Sequence, residues 1–355
     1  MRRVVVVLLS SAVLAAPAFG APASTPAPHE GWAKKAIATV TRHGIFTGTP
    51  LTFRPTDPLT AGTLNGVVAR LGGSADANVA SPSAPVSIER LDAALVDALG
   101  LGPAAADFQH VAAAAGLDPP ARFGTETVAR FLGLRTDLPI ADDSYEPQPQ
   151  QTATRADAAW SAARVISLGN ETATGTPAPG LTPLAAAEAG GGVSYVQGLA
   201  TAFALPTLTP LQQEVLRTPV SLIGYPYVWG GEDENVEPGF DCSGLVWRTF
   251  KLVTYPGAPG LTTVFAGRTA AAMAGEVARS KRIGAKKLEP GDVLFFGNGP
   301  RSKAAQIGHT AIYLGNGWII ESSGQGVSLG SMSWYTKSFA WARNPLAEDA
   351  LEPPN

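Results

Sequence analysis

Cysteine and histidine are scarce in this chain of 355 residues, which has one cysteine and four histidines. A single cysteine excludes an internal disulfide and any zinc site built from several cysteines. Charged residues make up 15% of the sequence and the net charge is −3, so we expect no basic surface and no nucleic-acid partner. Nothing in this composition calls for a metal ion or a cofactor, and we expect neither.

Long apolar runs are also missing, with one exception at the start of the chain. Arg2 and Arg3 precede an apolar run over residues 4–16, and small residues lead to a possible cleavage site before Ala21. The run is too short to span a bilayer comfortably. We therefore predict a signal peptide over residues 1–20, and a protein that is secreted or associated with the cell wall, with no membrane contact after cleavage. A buried N-terminal strand is the alternative.

Glycine and proline are abundant, at 39 and 30 residues, and they divide the chain into predicted segments. Residues 21–170 are typical of short helices joined by loops, with an apolar stripe from Trp32 to Val40 that Gly44 ends. Residues 171–192 have the composition of a flexible linker. A second domain is predicted over residues 193–346 and a disordered tail over 347–355. The clearest further helices are predicted over residues 61–71, 86–99, 154–166 and 209–217, the last ending there because Pro219 follows.

The only thiol lies at a predicted helix start. Asp241 is a good N-cap, and apolar residues follow it at helical spacing, so Cys242 falls in the first turn. Free N–H groups and the positive end of the helix dipole favour a thiolate there, which is the nucleophile that acyl transfer needs. The carboxylate of Asp241 opposes this by repulsion. A small buried hydrophobic residue is the alternative reading of Cys242.

One histidine, His309, lies in the same predicted domain as Cys242, so a Cys–His pair there must use it. It begins a predicted strand over residues 309–314 that returns over 318–321. Glu321 can orient the imidazole only if both side chains face the same way. A two-residue turn turns Glu321 away, whereas a three-residue loop with a bulge pairs it with Ala311 and brings it to the face of His309. A purely structural histidine is the alternative.

Four segments between Pro226 and Ser322 occur in a characteristic order: PYVWGG, GFDCSGLVWRTF, LEPGDVLFF and GHTAIYLGNGWIIES. Together they resemble the NlpC-type cell-wall peptidases, which are papain-like cysteine peptidases. The resemblance implies an α+β fold with a catalytic helix against an antiparallel sheet. It also implies that Cys242 is the nucleophile and that His309 is the base. Glu321 stands at the position of the third polar residue of the family's site, which is most often a histidine. There Glu321 would accept the Nδ1–H of the imidazole.

The resemblance further implies a substrate and its contacts. The family usually cuts the γ-D-glutamyl to diamino-acid bond in peptidoglycan stem peptides. Tyr227 matches a tyrosine near the thiol that assists the oxyanion, with simple packing as the alternative. Asp241 matches a position that holds the free amine of the substrate in some members, and Ser243 lines the same helix start. Arg268 matches an Arg-Thr-Ser segment in which Ala270 replaces the serine, and we assign it no role.

The segment GWAKKAIATVTRHGIFTG, followed by FRPTDPLT, resembles the first half of an S-layer homology repeat. TATRADAAWSAARVI resembles the second helix of a later copy. The resemblance implies an all-α module over residues 21–170 that binds anionic secondary cell-wall polymer, with Arg155 at the arginine of the Thr-Arg-Ala-Glu motif. Ala61 stands at that position in the first copy. A helical spacer without polymer binding is the alternative.

Three functions fit these observations. The first is an exported cysteine endopeptidase of peptidoglycan with a wall-anchoring module. The second is a binding or structural protein of the cell surface in which the peptidase is vestigial. The third is an amidase or acyltransferase that uses the same Cys–His pair, because water and an amine can compete for a thioester.

Overall fold

The computed structural model describes residues 31–135, 146–170 and 192–349. The predicted signal peptide, residues 171–191 of the predicted linker and residues 350–355 of the predicted tail lie outside the described residues. In the described ranges no helix combines the length and the apolar character needed to cross a membrane.

Helices alone form the described part of the chain up to residue 170, called the helical module below. Its second helix has the predicted bounds because Thr60 accepts a hydrogen bond from the N–H of Thr63 at 3.3 Å and Gly72 ends the helix with a φ of 105°. Gly44 likewise follows the first helix with a φ of 70°. The helices are α1 (Lys34–Arg42), α2 (Ala61–Leu71), α3 (Ile88–Ala98), α4 (Gly102–Ala114), α5 (Phe123–Leu132) and α6 (Arg155–Asn170).

The rest of the described chain combines short helices with one antiparallel sheet, in which the strand order is β4-β3-β2-β1-β5. The helix that begins at Cys242 packs against β2 and β3. This arrangement confirms the predicted α+β fold behind a helical N-terminal region. The elements are α7 (Gly192–Ala202), α8 (Pro210–Ser221), α9 (Cys242–Phe250), α10 (Leu261–Val264), α11 (Ala270–Gly275), β1 (Val293–Phe296), β2 (His309–Gly315), β3 (Trp318–Ser323), β4 (Gly326–Ser331), β5 (Phe339–Arg343) and α12 (Pro345–Asp349).

Two boundaries differ from the predictions. Helix α8 continues to Ser221 with Pro219 inside it, because a proline in the last turn removes only one helical hydrogen bond. Residues 347–349, predicted as disordered tail, belong to α12. Asn344 accepts a hydrogen bond from the N–H of Ala347 at 2.8 Å, and Arg343 pairs with Glu348 at 2.8 Å, so this short helix is fixed at its start.

The β2–β3 hairpin has the register that Glu321 needs, although its loop is shorter than predicted. Ile312 lies opposite Ile320, and the register shifts by one residue at Leu314 before a two-residue turn at 316–317. The extra residue is therefore a β-bulge within β2, and the loop itself is even. Continued along the ladder, this register sets Glu321 opposite Ala311, on the face of His309.

The helical module and the sheet share one hydrophobic core. The ring of Phe108 in α4 lies 5.2 Å from that of Phe203 and 6.4 Å from that of Trp318 in β3. On the same side, Phe131 of α5 meets Trp334 edge-on at 6.0 Å. The two parts that the sequence separates by a linker are thus packed against each other.

Buried charges lie at the same junction. The fully buried Arg130 of α5 pairs with Glu146 at 2.7 Å and donates hydrogen bonds to the backbone oxygens of Gly224, at 2.5 Å, and of Gln325. Glu126, one turn earlier, is also fully buried, and a Cβ on Gly224 would lie 2.5 Å from its Oε2 atom. Helix α5 therefore holds two loops of the sheet-containing part through charged side chains.

Candidate active site

Cys242 is a free, half-buried thiol at the first position of α9. The side chain of Asp241 caps this helix, accepting a hydrogen bond from the N–H of Gly244 at 2.5 Å. This agrees with the predicted helix start. Cys242 thus lies in the first turn, where a helix leaves N–H groups without partners inside the helix.

The glycines around the thiol allow the backbone of a loop to lie directly on the helix start. A Cβ on Gly244 would lie 1.8 Å from the backbone oxygen of Gly231, and a Cβ on Gly239 would lie 2.0 Å from that of Pro226. Both distances are far below van der Waals contact. The glycines of the two sequence segments are thus needed for the approach of the loop to Cys242.

The charge of Asp241 is compensated within the site. Its Oδ1 atom accepts hydrogen bonds from the hydroxyl of Ser243, at 2.9 Å, and from Arg268, at 3.1 Å, while Oδ2 accepts one from the N–H of Gly230 at 2.9 Å. The repulsion expected between Asp241 and a thiolate is therefore reduced by the guanidinium of Arg268. That guanidinium also pairs with Glu232.

His309, Glu321 and Cys242 are brought together in one hydrogen-bonded group. The Nε2 atom of His309 lies 2.5 Å from Oε2 of Glu321, whose side chain is almost fully buried. Cys242 is the second side chain that acts on this imidazole. The prediction that Nδ1 faces Glu321 is wrong, because Nε2 occupies that contact. Nδ1 is therefore the ring nitrogen that does not contact Glu321.

The surroundings of the imidazole favour its charged form. Burial alone lowers the pKa of His309, but its hydrogen bonds with Cys242 and Glu321, together with their negative charges, outweigh burial and raise the pKa to about 10. An imidazolium between two acidic groups stabilises a thiolate beside it. The group can therefore supply a nucleophile and a proton donor at neutral pH.

The site thus has a thiol, an imidazole and a carboxylate between a helix start and an antiparallel sheet. A comparison with protein families agrees with this arrangement. Residues 224–343 match the NlpC/P60 family. This NlpC/P60 segment contains all three members of the group. Residues 27–60 match the S-layer homology domain.

Relatives of the NlpC/P60 segment are known from several bacteria. The bifunctional muramidase/DL-endopeptidase CwlT of Bacillus subtilis is 37% identical over 115 residues, which are 32% of this chain and 30% of that protein. The murein DD-endopeptidase MepH of Escherichia coli is 32% identical over 133 residues, which are 36% of this chain and 44% of that protein. The chain thus matches less than half of either protein. The solved NlpC/p60 domain of the peptidoglycan hydrolase SagA is 27% identical and covers 37% of this chain and 97% of its own, with a TM-score of 0.29.

Two further predicted site residues lie beside Cys242 in the NlpC/P60 segment. Tyr227 is half-buried, and its backbone forms a parallel bridge with Phe240, two residues before the thiol. Ser243 is buried, and its hydroxyl donates a hydrogen bond to Asp241 and accepts one from the guanidinium of Arg268, at 2.9 Å each. Both residues thus border the helix start that carries the nucleophile.

Arg155 is not brought to this site. It lies in α6 of the helical module, where its Nε donates to the backbone oxygen of Phe53 at 2.8 Å. Its guanidinium lies over the rings of Phe46 and Phe53, at 5.2 and 4.8 Å. The side chain is half-buried, so it packs in the helical module while part of it remains accessible.

Sequence reasoning missed Tyr335 and left Arg268 without a role. The hydroxyl of Tyr335 donates to the carboxylate of Glu321, and its ring stacks on His309. No periodicity marks this tyrosine, because it lies in a short 3₁₀ turn after β4. For Arg268 the signal was present in the resemblance to the family segment.

Proposed function

We propose that this protein is a cysteine endopeptidase of peptidoglycan, with Cys242 as nucleophile, His309 as general base and acid, and Glu321 as the group that orients the imidazole. The observation that carries the proposal is the contact of His309 with Glu321 at 2.5 Å, together with the effect of Cys242 on the same imidazole. The names of the relatives CwlT and MepH support peptidoglycan as the substrate class.

The geometry fits a two-step reaction. The Cys242 thiolate attacks the carbonyl carbon of the scissile amide, and the resulting oxyanion is stabilised by the backbone N–H of Cys242, with Tyr227 as a second donor. His309 then gives its proton to the leaving amine, so that the C–N bond breaks and a thioester remains. Water attacks the thioester as His309 takes its proton, which releases the carboxylate product and the thiol.

The proposed bond is the γ-D-glutamyl to diamino-acid bond of a stem peptide, with the free amine of the substrate near Asp241 and Ser243. Asp241 and Ser243 make this end of the site polar, although Arg268 compensates the charge of Asp241. The names of the two relatives differ, one being a DL-endopeptidase and the other a DD-endopeptidase. Product masses therefore decide which bond is cut.

The test is digestion of purified muropeptides, followed by mass spectrometry of the products. We expect the wild type to release fragments cut after the γ-D-glutamyl residue, and Cys242→Ala to release none. His309→Ala should lose activity by a factor of about a thousand or more. His43→Ala is the matched control, because this exposed histidine lies in the helical module.

Each other product identifies another reaction. Fragments cut at the cross-link would show that a DD bond is cut in place of the proposed bond. Products joined to an added amine would indicate acyl transfer. Hydrolysis by Cys242→Ala equal to that of the wild type would exclude the proposed nucleophile.

We also propose that the protein works at the cell wall, with the helical module binding anionic wall polymer through the part that matches the S-layer homology domain, with Arg155 contributing. Sedimentation with sacculi that retain or lack the polymer tests this. We expect pelleting only with the polymer, and weaker pelleting at high salt. Arg155→Ala should reduce pelleting, whereas Arg70→Ala, at an exposed arginine of α2, should not. Equal pelleting of all variants would exclude a role for Arg155.

A further inference from the structure

Tyr335 lies against the imidazole of the proposed site. It ends the 3₁₀ turn Met332–Tyr335 that follows β4. Its ring stacks on that of His309, with 5.7 Å between centroids and 24° between planes, and it contacts Phe296 at 4.6 Å. Because Phe296 is also the cross-strand neighbour of His309 in β1, the tyrosine ring joins a small stack that limits rotation of the imidazole.

The hydroxyl of Tyr335 fixes the carboxylate on the other side of His309. It donates to Oε2 of Glu321 at 2.8 Å, with Oε1 at 3.0 Å. On β4, a Cβ on Gly330 would lie 2.6 Å from Oε1, so the carboxylate rests directly on the backbone of the neighbouring strand. Glu321 is therefore held by the imidazole, the phenol and this strand.

The turn that carries Tyr335 is itself supported at both ends. The hydroxyl of Ser331 accepts a hydrogen bond from the N–H of Ser333 at 3.2 Å, and the N–H of Ser338 donates to the backbone oxygen of Tyr335 at 3.0 Å. Trp334, the preceding residue, packs edge-on against Phe131 of α5. The phenol thus occupies a fixed position that depends partly on the helical module.

We propose that Tyr335 is a positioning residue of this site, which holds Glu321 and the imidazole of His309 so that the second ring nitrogen faces the sulfur of Cys242. This inference rests on the roles proposed above for Cys242 and His309. Tyr335 exchanges no proton in the reaction and acts only through the two side chains that it contacts.

The phenol keeps its proton while it does so. Burial, and then the negative charge of Glu321, raise the pKa of Tyr335 above its ordinary value. The titratable groups that act on His309 are Glu321 of β3 and Cys242 of α9, and the same two act on Tyr335. Tyr335 therefore keeps the proton that it donates to Glu321.

The first test is the rate at which iodoacetamide alkylates Cys242, measured against pH in the full chain with Tyr335→Phe. The variant keeps the ring and loses the hydroxyl. We expect the midpoint of the profile to move toward alkaline pH by about one unit, because a misaligned imidazolium stabilises the thiolate less. Hydrolysis should fall roughly 10- to 100-fold in kcat with little change in KM, as for the loss of a hydrogen bond to a charged group.

Tyr313→Phe is the matched control. Tyr313 packs in the same small apolar cluster, and its hydroxyl accepts a hydrogen bond from the N–H of Gly317 at 2.9 Å. The alkylation midpoint of this variant should equal that of the wild type. If Tyr335→Phe also leaves the midpoint unchanged while the wild-type thiol is reactive, the role of Tyr335 is excluded and the proposed nucleophile stands.

A double-mutant cycle tests whether Tyr335 acts through Glu321. In a Glu321→Ala background, Tyr335→Phe should change the alkylation midpoint no further. Additive shifts would contradict the proposal. Alkylation uses no peptidoglycan, so an error in the assigned bond leaves this result intact. A wild-type thiol as slow as an ordinary free thiol at neutral pH would instead contradict the proposed function together with this inference.

Discussion

At the scale of single residues, the site depends on short contacts that the sequence only partly reveals. The positions of Cys242 and His309 follow from counting and from helix-capping rules, because the chain has so few candidates. Tyr335 could not be found in this way, since its contact with Glu321 is set by a turn without periodicity. The ring nitrogen that faces Glu321 was predicted wrongly, because strand register determines the face of a side chain and not its rotamer.

The close approach at Gly244 gives a prediction at this scale. Gly244→Ala places a methyl group on the backbone oxygen of Gly231, so the loop must move away from Cys242. We expect a loss of about 2 kcal/mol or more in unfolding free energy and slower alkylation of Cys242. Chemical denaturation and alkylation rates measure the two effects.

Gly198→Ala is the control for this substitution, because Gly198 is a helical glycine of α7 with no atom within 4 Å of the new methyl group. It should be neutral or stabilising by about 0.5–1 kcal/mol. Equal stability of the two variants would show that the loop does not need the glycine at 244.

At the scale of elements, the β2–β3 hairpin determines whether Glu321 reaches His309. Because side chains alternate between the two faces of a strand, the sequence limited the hairpin to two registers, one of which is observed. It could not distinguish a three-residue loop from a two-residue turn with a bulge. Both arrangements contain one extra residue, and the structure has it as a bulge at Leu314.

The turn of this hairpin can be tested at Asn316, whose φ is 50°. Asn316→Val places a β-branched residue in the left-handed region, and we expect a loss of about 1–2 kcal/mol in stability. Hydrolysis should fall as well, because a displaced β3 moves Glu321. Thermal unfolding and muropeptide digestion measure these effects.

Asn316→Gly serves as the comparison at the same position, since glycine adopts this conformation without strain. It should retain wild-type stability and activity. A valine variant as stable as the glycine variant would contradict the strained turn.

At the scale of the whole molecule, the helical module and the NlpC/P60 segment form one packed body. The sequence could not show this, because Glu126 and Arg130, four residues apart on α5, have the pattern of an exposed ion pair. The structure buries both. Composition predicts a boundary at residues 171–192, but the contacts of Phe108 with Phe203 and Trp318 join the parts of the chain on either side of it.

A shared core predicts cooperative unfolding. Calorimetry should show one transition, with equal calorimetric and van't Hoff enthalpies, although the chain has two sequence modules. Phe108→Ala should lower the single transition, because truncation of a buried phenylalanine costs about 3–5 kcal/mol. Two separate peaks in the wild type would contradict a single cooperative body.

The buried carboxyl of Glu126 predicts how stability depends on pH. Burial raises its pKa from 4.5 to about 8. The folded protein therefore keeps a proton that the unfolded chain releases between these values, and this group makes stability fall as pH rises from 4.5 to 8. Glu126→Gln removes the titration, so the variant should gain about 1 kcal/mol or more over the wild type at pH 8, and less toward pH 5.

Asp107→Asn, at an exposed carboxylate of α4, is the control for Glu126→Gln and should change stability equally little at both pH values. The measurement is the free energy of unfolding at pH 5 and pH 8 for all three proteins. A difference between Glu126→Gln and the wild type that does not depend on pH would exclude the buried carboxyl as its cause.

The packing of α4 and α5 on the sheet has a consequence for how the enzyme would search its substrate. An enzyme tethered to an anchor by a flexible chain samples a volume set by the length of that tether. Here the helical module is packed through a shared core against the part of the chain that carries the thiol. If the module holds a wall polymer as proposed, Cys242 can reach only those peptides that lie at one distance and orientation from the bound polymer. The spacing of polymer attachment sites in the wall would then determine which bonds are cut.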